Sequence, residues 1–182
     1  MSRIPTPATI DDAPDTSKNA LEAVNKVLGS VPNLFRITAN SPKTLEGYLG
    51  LNGALGAGSL SAKTRERIAL AVAEINGCGY CLAAHNYLGT NLAKLTAEEI
   101  EAARRGTSGD TKAAAAVEFA VKITRNRGKV SQADVETVRA AGYSDGEIVE
   151  IVGNVALNTL TNYLNEVLGT EIDFPAVESL AA

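Results

Sequence analysis

Both cysteines and the only histidine of this chain lie within eight residues of one another. Cys78 and Cys81 form a Cys-x-x-Cys pair, and His85 follows Cys81 by four residues. The residues between Cys81 and His85 are good helix formers, so these two side chains are expected to share one face of a helix that opens at Cys78. A thiol beside an imidazole near a helix N-terminus is the arrangement that stabilises a thiolate. The spacing therefore predicts a reactive thiol with a second thiol close by.

Four kinds of site could contain this pattern. A structural zinc site would need a fourth ligand, and the chain has no further Cys or His. Two inert core cysteines would seldom fall at this spacing beside the sole histidine. A thioredoxin-type oxidoreductase shares the spacing, but its fold needs βαβ units and the sequence shows none. The remaining interpretation is a dithiol that reduces peroxides or exchanges disulfides on an all-helical scaffold.

Composition narrows the class of protein. Of the 182 residues, 45% are hydrophobic and 4% aromatic, which suits one domain of packed helices with a sizeable core. The net charge of −4 argues against nucleic acid or an anionic membrane as a partner. No apolar run approaches the roughly 20 residues of a membrane span. The first residues lack the apolar core of a signal peptide, so we expect a cytoplasmic protein.

Hydrophobic periodicity and capping residues predict an all-α, single-domain helical bundle of seven to eight helices without strands. We expect an N-terminal arm over residues 1–15, a helical domain over 16–175 and a C-terminal tail over 176–182. A bend is expected over residues 31–36, where Pro32 follows the first helix. A break at Asn76-Gly77 separates a largely buried helix from the helix that carries the cysteines.

The last predicted helix carries an unusual polar stripe, at spacings of four, four and three residues, formed by Asn154, Asn158, Asn162 and Asn165. Asn is a poor helix former and is costly to bury without partners. We therefore expect a solvated face or a hydrogen-bonded subunit contact. The alternative is a polar lining of the active-site cavity.

The cysteine segment has a wider pattern around it. Glu66, then eleven residues, then Cys78-Gly79-Tyr80-Cys81, then Ala83-Ala84-His85 resembles the AhpD-like alkylhydroperoxidase family of the carboxymuconolactone decarboxylase superfamily. The resemblance covers roughly residues 16–175. Other segments are similar to the peroxidase-related branch of that family: Val31-Pro32-Asn33-Leu34-Phe35, the Ser41-Pro42 helix, Leu60-Ser61, the stretch 158–165 and Asp173-Phe174-Pro175.

The resemblance implies a thiol-dependent peroxidase without a bound cofactor or metal. Cys81 would be the peroxidatic thiol that becomes a sulfenic acid, and Cys78 would resolve it to a disulfide. His85 would take the proton of Cys81, and Glu66 would orient and charge-stabilise His85. Glu74 is nearer to the cysteines in sequence, so the choice of Glu66 follows from the motif spacing.

The resemblance also implies the partners. The substrate would be a small-molecule peroxide, organic or hydrogen peroxide, and the electron donor a thiol reductant of the dihydrolipoamide or thioredoxin type. The family builds trimers or hexamers, so we expect a homo-oligomer. Some members carry a second His between the cysteines, where this chain has Tyr80. That difference leaves basic assistance to His85 alone.

Two other functions remain open at this point. The chain could be an oligomeric interaction or redox-sensing protein of the same fold, without peroxidase turnover. In that case the Asn stripe would be an interface device. A stripe of glycines in the second predicted helix would serve the same purpose: Gly47, Gly50, Gly53 and Gly56. Otherwise we expect these glycines to permit close helix–helix contact, and the alternative is a pocket wall where a substrate approaches the backbone. The chain could also be an enzyme similar to carboxymuconolactone decarboxylase, although Cys78 and Cys81 argue against that branch.

Overall fold

The computed structural model of the chain describes residues 1–178 and 180, and this part contains nine α-helices and no strand. The prediction of an all-α, single-domain protein is therefore confirmed, while the predicted number of seven to eight helices is too low. In chain order the helices are α1 (Asp15–Leu28), α2 (Asn33–Thr38), α3 (Pro42–Gly56), α4 (Ala62–Asn76), α5 (Gly79–Asn91), α6 (Ala97–Arg104), α7 (Thr111–Arg125), α8 (Gln132–Ala140) and α9 (Asp145–Leu168).

The short helix α2 is the element that the sequence did not predict. It lies where a bend was expected, directly after Pro32, whose backbone φ of −57° suits the residue before a helix. Six residues are too few for an isolated helix to be stable in water. The helix is held by tertiary contacts, because Leu34 and Ile37 are buried and the amide of Asn33 donates to Asp173 Oδ2 at 2.7 Å.

Helix boundaries elsewhere follow the capping residues. The Ser41 and Ser61 side chains accept hydrogen bonds from the backbone three residues ahead, at the starts of α3 and α4. Ser144 forms a full capping box with Glu147 at the start of α9. Helix α4 ends as predicted at Asn76, and Gly77 follows in the left-handed conformation with φ of 68°.

Helix α4 is the centre of the bundle and packs against α5, α6, α7 and α9. Its residues from Ile68 to Ala73 are at most 2% exposed, as their unbroken apolar run predicted. The Gly77 turn sends the chain back along α4 as α5. This antiparallel hairpin brings the first turns of α4 beside the middle of α5, where His85 lies.

The glycine stripe of α3 does not serve the purpose that we expected. A Cβ atom added at Gly47, Gly50, Gly53 or Gly56 would meet nothing within 4 Å among the described residues. All four positions are exposed. The prediction of close helix–helix contact is therefore wrong for the isolated chain, because none of the described helices covers this face.

The N-terminal residues pack against other segments of the same chain. The Arg3 amide donates to the carbonyl of Leu168 at 2.7 Å, and the Arg36 guanidinium donates to the carbonyl of Ala8. The division into arm, domain and tail stays a prediction, and residues 179, 181 and 182 of the expected tail lie outside the described residues. In the part of the chain that the structure describes, no helix has the length and apolar character to cross a membrane.

Candidate active site

The two cysteines face each other at the start of α5. Cys78 is the N-cap residue, and its Sγ accepts a hydrogen bond from the backbone amide of Cys81 at 3.3 Å. The thiol of Cys78 also donates to Sγ of Cys81 at 2.8 Å. Both thiols are free and buried, at 0% and 3% exposure. The two sulfur atoms therefore lie close together, as the Cys-x-x-Cys spacing predicts.

The environment makes the two thiols chemically different. The hydrogen bond from Cys78 is the largest influence on Cys81; with the positive charge of His85 and two asparagine amides, it outweighs burial and lowers the pKa of Cys81. The hydrogen bond to Cys81 raises the pKa of Cys78 instead, and burial adds to that effect. Cys81 is therefore the thiol that ionises first, while Cys78 keeps its proton.

His85 is paired with the carboxylate that the motif spacing indicated. Its Nδ1 lies 2.9 Å from Oε2 of Glu66, across the α4–α5 hairpin. Burial disfavours the charged imidazole, but the charge and hydrogen bond of Glu66 outweigh it, so the pKa of His85 is raised. Glu74, the carboxylate nearer in sequence, instead binds Nε of Arg104 at 2.7 Å.

His85 acts on Cys81 through its charge. In the described part of the chain no hydrogen bond joins the two side chains, although the imidazolium lowers the pKa of Cys81. The side chain of Asn158 also helps to raise the pKa of His85. Among the described residues, no three His, Cys, Asp or Glu side chains are grouped so that they could hold a metal ion.

The asparagine stripe of α9 lies inside the protein, so the expectation of a solvated face is wrong. All four side chains are buried, and Nδ2 of Asn165 donates to Sγ of Cys81 at 3.2 Å. The four-residue spacing showed that these residues share a face. It could not show that the face is turned towards a sulfur atom rather than towards water.

A cavity of about 610 Å³ opens beside Cys81. Cys81, His85 and Glu66 form part of its wall, together with Asn158. Most of the remaining wall is apolar or aromatic, including Leu34, Phe35, Leu55, Leu88, Leu157 and Phe174. A cavity of this size and lining can hold a small organic molecule with its reactive group against Cys81.

Tyr80, which stands where some AhpD-like proteins have a second His, holds the C-terminal segment over this cavity. Its hydroxyl donates to Oδ1 of Asp173 at 2.8 Å and accepts from the amide of Leu34 at 3.1 Å. The ring also contacts Phe174 edge to face, with 5.8 Å between centroids. Burial raises the pKa of Tyr80, so the phenol stays protonated at neutral pH and supplies no base.

Comparison with known proteins points to the same family that the cysteine motif resembles. Residues 42–126 match the model of the family described as Carboxymuconolactone decarboxylase family. A peroxidase-related protein of uncharacterised function from Silicibacter sp. TM1040 is 28% identical and has a TM-score of 0.79, with 93% of this chain and 92% of that chain covered. No curated protein sequence matches the chain significantly.

Two further solved structures share the fold. The alkylhydroperoxidase AhpD core of an uncharacterised peroxidase-related protein from Ralstonia eutropha JMP134 is 25% identical with a TM-score of 0.84, covering 94% of this chain and 92% of that one. The debrominase Bmp8, in complex with 2,3,4-tribromopyrrole, is 20% identical with a TM-score of 0.79, covering 95% of this chain and 94% of that one. At that identity the second similarity concerns the fold alone.

The fold and the cysteine site together define an all-helical protein with a buried pair of thiols at the start of α5. The family match over residues 42–126 and the similar structures support a relationship of this chain to the carboxymuconolactone decarboxylase superfamily and its AhpD-like, peroxidase-related proteins.

Proposed function

We propose that this protein is a thiol-dependent peroxidase that reduces organic hydroperoxides through a dithiol–disulfide cycle of Cys81 and Cys78. The proposal rests on one observation above all. The thiol with the lowered pKa, Cys81, lies in the wall of an apolar cavity and 2.8 Å from a second thiol that keeps its proton. The AhpD-like relatives support the same assignment.

In the first step the Cys81 thiolate attacks the terminal oxygen of the hydroperoxide. The O–O bond breaks, Cys81 becomes a sulfenic acid, and the alkoxide leaves with the electron pair of that bond. The His85 imidazolium, held charged by Glu66, gives its proton to the alkoxide, and the alcohol is released. The sulfur is oxidised and the peroxide is reduced by two electrons.

In the second step Cys78 attacks the sulfenic sulfur of Cys81. Once the thiolate charge is gone, the main cause that keeps Cys78 protonated is gone as well, so its proton can be transferred to the departing hydroxide to form water. The product is a Cys78–Cys81 disulfide. A dithiol donor of the dihydrolipoamide or thioredoxin type then reduces it, and the proton of Cys81 returns to His85. Because such donors are kept reduced in the cytoplasm, we propose a cytoplasmic location.

The cavity favours an organic peroxide over hydrogen peroxide. A cumyl or alkyl group in the apolar part of the cavity would leave water, at about 25 cal/mol per Å² of apolar surface. After the cost of ordering the ligand, we expect kcat/KM for cumene hydroperoxide to exceed that for hydrogen peroxide by roughly tenfold to a hundredfold.

The test is a peroxide-consumption assay with dihydrolipoamide or thioredoxin as the coupled reductant. Hydrogen peroxide, tert-butyl hydroperoxide and cumene hydroperoxide are compared in the wild type and in Cys81→Ser. Turnover that requires Cys81 and increases with the size of the organic group supports the proposal. A stoichiometric oxidation of Cys81 without turnover by any dithiol would favour the redox-sensing alternative. An absence of thiol loss at low peroxide would favour an interaction protein.

A further inference from the structure

Helix α9 buries four amide side chains at positions where apolar side chains would be less costly to bury. Asn154, Asn158, Asn162 and Asn165 are between 0% and 5% exposed. A buried amide costs free energy unless its donors and acceptors are satisfied. Two of the four donate along their own helix, Asn154 to the carbonyl of Glu150 and Asn158 to that of Asn154, both at 2.8 Å. The other two have no such partner and need a different explanation.

Asn165 donates a hydrogen bond from its amide to the reactive sulfur. Its Nδ2 donates to Sγ of Cys81 at 3.2 Å, and its Oδ1 has no hydrogen-bond partner among the described residues. The sulfur already accepts the thiol proton of Cys78. Two donors to one sulfur atom stabilise its thiolate form more than its thiol form.

Asn162 has a buried amide donor without a partner among the described residues. Nδ2 of Asn76, the last residue of α4, donates to Oδ1 of Asn162 at 2.8 Å. That bond fixes which end of the carboxamide is the donor. Nδ2 of Asn162 makes no hydrogen bond within the described residues, and the Asn162 amide is one of the groups that lower the pKa of Cys81.

We propose that the carboxamides of Asn162 and Asn165 form an amide cradle, two N–H donors from α9 that hold Sγ of Cys81 as a thiolate. The amide cradle rests on the proposed function, since it assumes that Cys81 is the reacting thiol. It supplies neutral donors, so it does not depend on the protonation of His85. Asn165 contacts the reacting atom and is a catalytic residue on this proposal, whereas Asn76 is a positioning residue that orients Asn162.

Other groups that face the same sulfur must be kept constant in any test. Those that could change its ionisation lie on α3, α4 and α5 and at the N-cap of α5, and they are Tyr48, Glu66, Tyr80, His85 and Cys78. Glu166 on α9 acts on Cys78 and is kept constant as well. None of them is altered in the variants below. A change in the titration of Cys81 can then be assigned to the amides.

The experiment measures iodoacetamide alkylation of the reduced protein between pH 5 and pH 9, without peroxide. We expect Asn165→Ala and Asn162→Ala each to slow alkylation at pH 5.5 by about three- to tenfold, and to leave the rate at pH 9 within about twofold. Asn165→Asp, which keeps the shape but adds a negative charge, should slow it further at pH 5.5. The matched control is Asn154→Ala, a buried amide of the same stripe that does not reach sulfur.

Two results would overturn the cradle. One is that folded Asn162→Ala and Asn165→Ala proteins alkylate as the wild type does at pH 5.5. The other is that Asn154→Ala slows alkylation equally, which would assign the effect to packing of α9. If the buried alanine variants fail to fold, Asn76→Ala serves instead, with an expected two- to threefold loss at pH 5.5 and none at pH 9; an unchanged profile overturns the role of Asn162. Because no peroxide is present, these outcomes are independent of whether the protein proves to be a peroxidase.

Discussion

The ion pair between Glu66 and His85 gives the sharpest test of how the thiolate is held. Glu66→Gln keeps the size and the hydrogen-bonding capacity of the side chain but removes the charge that lies 2.9 Å from the imidazole. Without the charge of Glu66, burial lowers the pKa of His85, so we expect the imidazole to lose its proton at neutral pH. Cys81 in turn loses the second of the favourable influences on its thiolate.

The size of the effect follows from what remains at the sulfur. A nearby opposite charge moves a pKa by roughly one to three, and the donors from Cys78 and α9 are still present, so we expect the low end of that range. The pKa of Cys81 would rise from about 6 to roughly 7. At pH 6 the thiolate fraction would then fall from about one half to about one tenth, a fivefold loss of rate, while at pH 8.5 the loss would vanish.

The assay is again alkylation against pH, which reports Cys81 because the pKa of Cys78 is raised. Glu74→Gln is a closely matched control. Glu74 is on the same helix, its side chain is 19% exposed against 21% for Glu66, and it also forms one ion pair, but its partner is Arg104. Should Glu66→Gln leave the curve in place, or should Glu74→Gln move it equally, the proposed route of charge from Glu66 through His85 is wrong.

Three other predictions concern the cycle, the cavity and assembly. Cys81→Ser should abolish peroxide-driven oxidation, whereas Cys78→Ser should form a sulfenic acid that dimedone traps but should not turn over; a reactive Cys78 would reverse the assignment. Tyr80→Phe should lower Tm by several degrees and raise KM for cumene hydroperoxide, because it removes two hydrogen bonds of roughly 1 kcal/mol each, one to Asp173 in the C-terminal segment and one from the Leu34 amide; unchanged values would show that the segment is held by other contacts. Light scattering should give a trimer or hexamer that Val152→Glu and Tyr163→Glu dissociate, and a monomeric wild type would refute this.

The chemistry of the site could be predicted where it depends on local spacing. Cys78, Cys81 and His85 share two turns of one helix, so their proximity follows from helical geometry alone. Glu66 is nineteen residues from His85, and only the motif of the family distinguished it from Glu74. In physical terms the choice depends on the Gly77 turn, which folds α5 back along α4 and places the first turns of α4, rather than its end, beside the imidazole.

What could not be predicted depends on partners far away in sequence. The six residues of α2 have no strong helical pattern of their own, and one of their orphan amides is satisfied by Asp173, 140 positions along the chain. The same holds for the amides of Asn162 and Asn165, whose partners are on α4 and α5. Periodicity identifies a face of a helix, but only the packing of the other helices decides which face is turned inward.

Helix α9 differs from an ordinary surface helix because it buries amides and exposes large apolar side chains. This arrangement links the site to the outer surface of the protein. Its inner face carries the four amides beside apolar residues such as Ile151 and Val155, while its outer face exposes large apolar side chains at helical spacing: Val149, Val152, Leu160, Tyr163 and Val167. Burying the amides gives up hydrophobic stabilisation that the helix would otherwise have, and covering the outer face would restore it. A second copy of the chain on that face would therefore stabilise the helix that presents Asn165 to Cys81. We accordingly expect variants that dissociate the oligomer also to slow alkylation of Cys81 at low pH, although none of the changed residues touches the sulfur.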